Sequence, residues 1–258
     1  MAIAVEAIEK RYVARGRETV ALEAVHLDVP SGEFVAFVGP SGCGKSTLLN
    51  MMAGIFPPTA GRIVHDGRTI AGINQQVGYM TQADSVLPWR SVAENIALPL
   101  RFRGVGGDER RTRVAAMISR VGLSGFENSF PVELSGGMRK RVALAQLLVY
   151  EPATLLMDEP FGALDAQLKL LMQAELLRIW QAGRQTVVFV THDLSEAITL
   201  ASRVVVFSGR PGRIKAIETI DIPYPRDPFQ VRFDKRFEAA YARLWAQLAP
   251  EISKSEAA

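Results

Sequence analysis

The string Gly39-Pro40-Ser41-Gly42-Cys43-Gly44-Lys45-Ser46 follows the apolar run Glu33 to Val38 and precedes a helical pattern from Lys45 to Ala53. It satisfies G-x-x-x-x-G-K-[ST] in the strand–turn–helix setting of a P-loop. Small residues let successive backbone N–H groups curl around an anion at a helix N-terminus. Lys45 would bring a positive charge to the β- and γ-phosphates of a nucleoside triphosphate such as ATP, and the Ser46 hydroxyl would ligate Mg2+. Thr47 adds a contact near the α-phosphate. Cys43 serves through its backbone, and a redox role for it is not expected. Further on, Leu155-Leu156-Met157-Asp158-Glu159 reads as an apolar strand ending in two carboxylates. Asp158 is placed to hold Mg2+ through water, and Glu159, pointing the other way along the strand, to polarise an attacking water. A chance glycine turn or a strand end capped by solvated acids would explain either string alone. Together they describe a strong nucleoside-triphosphate site.

These residues need a scaffold in which strands alternate with helices. Short apolar runs at Thr154 to Met157, Thr186 to Val190 and Arg203 to Phe207 read as buried parallel strands beside the one ending at Val38. Helical patterns at Ala166 to Gln181 and Leu194 to Ala201 separate them. Gly61 to Gly67 reads as a strand closing in an Asp66-Gly67 hairpin turn. Between about Ser85 and Tyr150 helical periodicity takes over, which describes an α/β core interrupted by a helical insert. Beyond Pro223-Tyr224-Pro225 a turn-rich link leads to a helix over Phe233 to Leu248.

Composition bounds the rest. The chain has 258 residues, 48% hydrophobic and 22% charged, with a net charge of +3. The charge is small and scattered, so no nucleic-acid partner is expected. One cysteine, Cys43, excludes a disulfide framework and fits a reducing compartment. The start MAIAVEAIEK has no secretory pattern, and no apolar run approaches the roughly 18 residues of a spanning helix. A membrane role must come through a partner.

A P-loop leaves kinases, GTPases and motors open. Leu134-Ser135-Gly136-Gly137-Met138 opens a helical pattern from Arg139 to Tyr150, with a hydroxyl and two glycines at its start. Those are the makings of a second phosphate-binding terminus. One nucleotide does not need two such sites in one chain unless the second serves a neighbour. Here the sequence resembles the ABC ATPase family, whose LSGGQ-like signature lies about 90 residues after the P-loop and just before the acid motif. The resemblance runs from Val5 to about Pro225. It implies a RecA-like P-loop NTPase core with an antiparallel β subdomain and a helical ABC-specific subdomain inserted at about 85–150, all within residues 1–225. Residues 226–258 then form a C-terminal helical extension and tail. It also assigns roles: Gln82 links Mg2+ and water to the helical insert, Asp165 in Ala163-Leu164-Asp165 crosses a dimer interface, His192 contacts the γ-phosphate, and Tyr12 stacks on adenine. His26 and His65 read as structural. Met138, where glutamine is commoner, and Gln146, where arginine is frequent, depart from the pattern without removing a phosphate contact.

Three longer strings resemble importers of nitrate, aliphatic sulfonates and taurine: Gln82 to Trp89, Glu159 to Asp165, and Ser208 to Ile214. The expected assembly is a head-to-tail dimer of two copies, each site joining one P-loop to the other copy's Ser135-Gly136-Gly137. The partners implied are transmembrane permease subunits, with Leu87-Pro88-Trp89 near the groove they use, and through them a periplasmic or lipid-anchored solute-binding protein. The expected location is peripheral, on the cytoplasmic face of the inner membrane. A non-transport ABC ATPase is the alternative, and it would bring a second core, long coiled coils or cysteine pairs that this chain lacks.

Overall fold

The computed structural model describes residues 2–14, 16–82, 85–162 and 164–256. Ala83, Asp84 and Ala163, which belong to the strings above, lie outside them. Two long strands, β1 (Ile3–Ala14) and β2 (Arg17–Val29), come first, followed by β3 (Phe34–Val38) and helix α1 (Lys45–Met52). A hairpin of β4 (Ala60–His65) and β5 (Arg68–Thr69) turns at Asp66 and Gly67, whose φ values of 46° and 78° suit a twisted two-residue turn. Next come β6 (Val77–Met80) and three helices, α2 (Val92–Phe102), α3 (Gly107–Arg120) and α4 (Gly136–Leu148). The remainder alternates: β7 (Thr154–Asp158), α5 (Ala166–Gly183), β8 (Thr186–Val190), α6 (Leu194–Leu200), β9 (Arg203–Phe207), β10 (Ile214–Thr219) and α7 (Lys235–Glu256). The last helix is longer than its sequence pattern suggests.

The main sheet has the order β10-β9-β3-β8-β7-β6, parallel except where β10 closes antiparallel on β9. Strands β3, β7 and β8 are buried along their whole length, so their apolar runs show no alternation. Their alternate residues feed two different cores. Phe34, Ala36, Leu155, Met157, Val187 and Phe189 face a core shared with α2 to α7. Val35, Phe37, Leu156, Val188 and Val190 face the core against α1 and a four-stranded antiparallel sheet of order β2-β1-β4-β5. Period-two side-chain direction makes one sheet serve both layers. Because β3, β6, β7 and β8 are parallel, the loops after Val38, Met80, Asp158 and Val190 all emerge at one edge, the edge where such sheets bind ligands.

Helices α2, α3 and α4 pack on one another through Ile96, Leu100, Val114, Met117, Ile118, Leu144 and Leu148. Ser91 and Glu94 form a reciprocal cap at the start of α2. Helix α7 buries Phe237, Ala240, Leu244 and Leu248, a helical stripe that seats it on α6, β9 and β10. No helix among the described residues is long and apolar enough to cross a membrane.

Candidate active site

Gly44 caps α1 with φ +102°, and a Cβ there would sit 2.6 Å from the Leu22 side chain, so only glycine fits this turn. Lys45 follows, buried, its Nζ donating to the carbonyls of Gly39 at 2.8 Å and Pro40 at 2.9 Å. Ser41, Gly42, Gly44, Lys45, Ser46 and Thr47 line a cleft of about 380 Å³. Gly39, Pro40 and Cys43 do not line it, and the Cys43 side chain is packed in the core.

The carboxylates arrive from β7. Ser46 Oγ donates to Asp158 Oδ1 at 3.0 Å. Burial pushes the Asp158 carboxyl above its ordinary value; the Ser46 hydroxyl pulls it down, Glu159 pushes it up and Lys45 pulls it down again. This is a desolvated carboxyl group beside a hydroxyl, a pair of hard oxygens that suits Mg2+, which takes few protein ligands when phosphates supply the others.

Glu159 differs from the strand-alternation expectation. The strand ends at Asp158, and Glu159 adopts φ +47° while its N–H donates to Val190 O at 3.0 Å. This left-handed turn brings its carboxylate to the cleft wall. Glu159 Oε2 accepts from Gln82 Nε2 at 3.3 Å and lies 3.4 Å from His192 Nδ1. Three loops from three strand ends therefore converge on one oxygen. Lys140, buried on α4, donates to the Gln82 carbonyl at 2.6 Å and ties that loop to the helix opened by Ser135.

Tyr12 lines the same cleft, 41% exposed, with its ring edge-on to Phe56 at 6.2 Å. Ser135, Gly136, Gly137 and Asp165 do not line it. Ser135 caps α4, its Oγ accepting from Met138 N at 3.2 Å, and Asp165 caps α5 by accepting from Leu168 N at 2.9 Å. Sequence reasoning missed Thr19, Ala21 and Arg210, which complete the cleft. Thr19 sits opposite Tyr12 in the β1–β2 ladder, so reading that hairpin would have found it. His65 is buried against Thr154 and Asn74, a structural position as expected.

A second cavity of about 680 Å³ lies between α2, α4 and β6, with Ile55, Ile73, Pro99, Phe102 and Tyr150 on its walls. Trp89 is 69% exposed and does not line it. Its turn is held by Asn95, fully buried, which accepts from Leu87 N and donates to the carbonyls of Leu87, Arg90 and Ser91. Gln146 donates to the Asn95 carbonyl at 3.1 Å, so the departure at this position joins α4 to α2.

Residues 22–162 match the family model described as ABC transporter. The chain belongs to the ABC transporter family. It is similar to an uncharacterized ABC transporter ATP-binding protein of Methanocaldococcus jannaschii, 44% identical over 89% of this chain and 86% of that one. A taurine import ATP-binding protein of Burkholderia pseudomallei is 43% identical over 94% of this chain and 95% of its own length. Another, of Rhizobium johnstonii, is 48% identical over 80% and 79%. Among solved structures, a dimeric ATP-binding cassette in a post-hydrolysis state with ADP and Pi superposes with a TM-score of 0.78 at 30% identity, covering 86% of this chain and all of the other. This ABC chain is thus an ATP-binding subunit and an ATP hydrolase, with the RecA-like core and the additional β and helical layers of the family.

Proposed function

We propose that this subunit powers uptake of a small anionic solute of the nitrate, sulfonate or taurine type through ATP-driven closure and reopening of a head-to-tail dimer. The observation that carries the catalytic part is the convergence of Gln82 and His192 on Glu159 Oε2, beside the P-loop. In this reading the loop amides and Lys45 hold the phosphates, Lys45 exchanging its Gly39 and Pro40 carbonyls for phosphate oxygens. Tyr12 stacks on adenine. Ser46 and Asp158, with Gln82, would hold Mg2+, which would offset the negative charge of the phosphates. Glu159 accepts a proton from the attacking water while His192 and Gln82 fix its carboxylate, and His192 reaches the γ-phosphate.

Ser135, Gly136 and Gly137 lie away from their own chain's cleft, which supports their serving a second copy's nucleotide, with Asp165 at the interface. The dimeric state of the solved relative supports the same assembly. The taurine-import relatives support the solute class. For the permease, the support is the apolar cavity with Phe102, 83% exposed, at its mouth. In this reading the chain works at the cytoplasmic face of the membrane, with a solute-binding protein across it. The test is ATP-dependent uptake into vesicles holding the chain with its permease and binding protein. Uptake of labelled taurine, an alkanesulfonate or nitrate is expected; ATP hydrolysis unresponsive to all three contradicts the solute class.

A further inference from the structure

The loop Ser208 to Arg213, between β9 and β10, has no role in the reading above, yet it lies directly against the P-loop. Arg210 Nη2 donates to the Gly42 carbonyl at 3.2 Å, and the Arg210 side chain lines the nucleotide cleft. Gly212 touches the P-loop backbone so closely that a Cβ there would fall 1.8 Å from Cys43 O. On its other side Gly212 bonds to β2, donating to Ala21 O and accepting from Glu23 N. Ser208 closes the loop on itself by donating to Pro211 O and accepting from Arg213 N. The loop is therefore held as a rigid brace.

Its remaining anchor comes from α7. Glu251, buried, accepts from Gly209 N at 3.1 Å through Oε2 and from Lys215 Nζ at 2.9 Å through Oε1. Lys215 also donates to Gln247 O at 2.8 Å. The residue before Arg210 is thus pinned by a carboxylate on the C-terminal helix. A guanidinium carries five N–H donors, and the Gly42 carbonyl uses one. No carboxylate among the described residues pairs with Arg210, so its charge and the other donors are open to the cleft that Lys45 and the loop amides share.

We propose that Arg210 is a further nucleotide-binding residue, contacting the phosphate chain, and that Glu251 positions it, so that the C-terminal helix sets ATP affinity. This rests on reading the cleft as the nucleotide site. The test is an equilibrium titration of the full-length protein with a fluorescent ATP analogue and with ATP in competition. Arg210→Ala, an exposed loop change, should weaken ATP binding about 10- to 100-fold, the range for one hydrogen bond to a charged group. Arg210→Lys should recover most of the loss and Arg210→Gln should not, because the contact needs charge and not only a donor for Gly42. Parent-like affinity in Arg210→Ala, or full recovery by Gln, overturns the contact. Glu251→Ala should raise the KM for ATP about threefold with little change in saturated turnover, Glu251→Gln should restore it, and neither should matter in the Arg210→Ala background. An equal Glu251→Ala effect in both backgrounds overturns the positioning role. Lys45→Ala in the same titration separates the two levels: if it too binds like the parent, the cleft itself is misread.

Discussion

The Ser46 hydroxyl donates to Asp158 Oδ1 across 3.0 Å, joining the first turn of α1 to the last residue of β7. The two residues are 112 positions apart in the chain. Parallel strands β3 and β7 place them at the same sheet edge, and β8 between them delivers His192 to the same place. A serine hydroxyl at a helix start and a buried carboxylate at a strand end make a two-oxygen cradle next to a phosphate-binding loop. In the proposed function that relation would let the loop take a metal–nucleotide complex.

In the proposed function Lys45→Ala removes the cation that the P-loop would hold against the phosphates. ATP binding should fall sharply and hydrolysis should vanish, since the loop amides alone cannot replace the charge. Near-normal turnover in the purified variant contradicts the P-loop assignment.

The parallel strands were legible because full burial makes them continuous apolar runs, and the P-loop because its spacing is narrow and its context clear. The β1–β2 hairpin was not, although it carries Tyr12 and Thr19. Its ladder is broken between Val5 and Ile8 and again before Lys10 and Arg11, with Ala7 and Ala24 at φ near +50°. Each bulge shifts the alternation by a residue, so the period-two pattern holds over Val25 to Val29 but is lost across the half of the hairpin that carries Tyr12 and Thr19. The left-handed turn at Glu159 was equally hidden, because nothing in the Asp158-Glu159 pair marks the strand end. Asn95 reads as an ordinary polar residue on a helix, and only the packed structure makes it the organiser of the Trp89 turn.

Tyr12→Ala should weaken nucleotide binding by roughly 1–3 kcal/mol, the range for base–aromatic stacking. Discrimination between tri- and diphosphate should be untouched, because the phosphate contacts proposed for Lys45 and Ser46 do not involve Tyr12. Unchanged ATP affinity by calorimetry returns Tyr12 to a purely structural role.

Asn95→Ala leaves the Arg90 carbonyl and the Leu87 N–H of this half-buried turn without their partner, while the carbonyls of Leu87 and Ser91 keep the backbone N–H groups of Arg90 and Asn95. With buried unsatisfied groups costing about 1–3 kcal/mol each before relaxation, a net loss of about 3 kcal/mol is expected in urea unfolding. A loss below about 1 kcal/mol contradicts the anchoring role.

The Lys215 ammonium, with the Gly209 N–H, holds the Glu251 carboxyl below the ordinary glutamate value. A depressed folded-state pKa contributes stability above the unfolded value of about 4.3, and that stability is lost as pH falls through the folded value. The gap in Tm between the parent and Glu251→Gln should therefore be constant at neutral pH and close on acidification below about pH 4. A gap that persists unchanged at pH 3 contradicts the ionic part of this anchor.

Glu159→Gln tests the central assignment. The amide keeps the size of the carboxylate and can still accept from Gln82, but it cannot take a proton from water. ATP binding should survive, because Lys45, Ser46 and the loop amides are untouched. With hydrolysis blocked, the variant should accumulate as an ATP-bound dimer that Ser135→Arg returns to monomer. General-base catalysis is worth about 10²–10⁴ in rate, or about 3–5 kcal/mol of barrier. The decisive measurement is phosphate release by the purified Gln variant at saturating ATP and Mg2+. A fall of at least about 100-fold with ATP affinity retained is the expected result, and release at the parent rate contradicts Glu159 as the base.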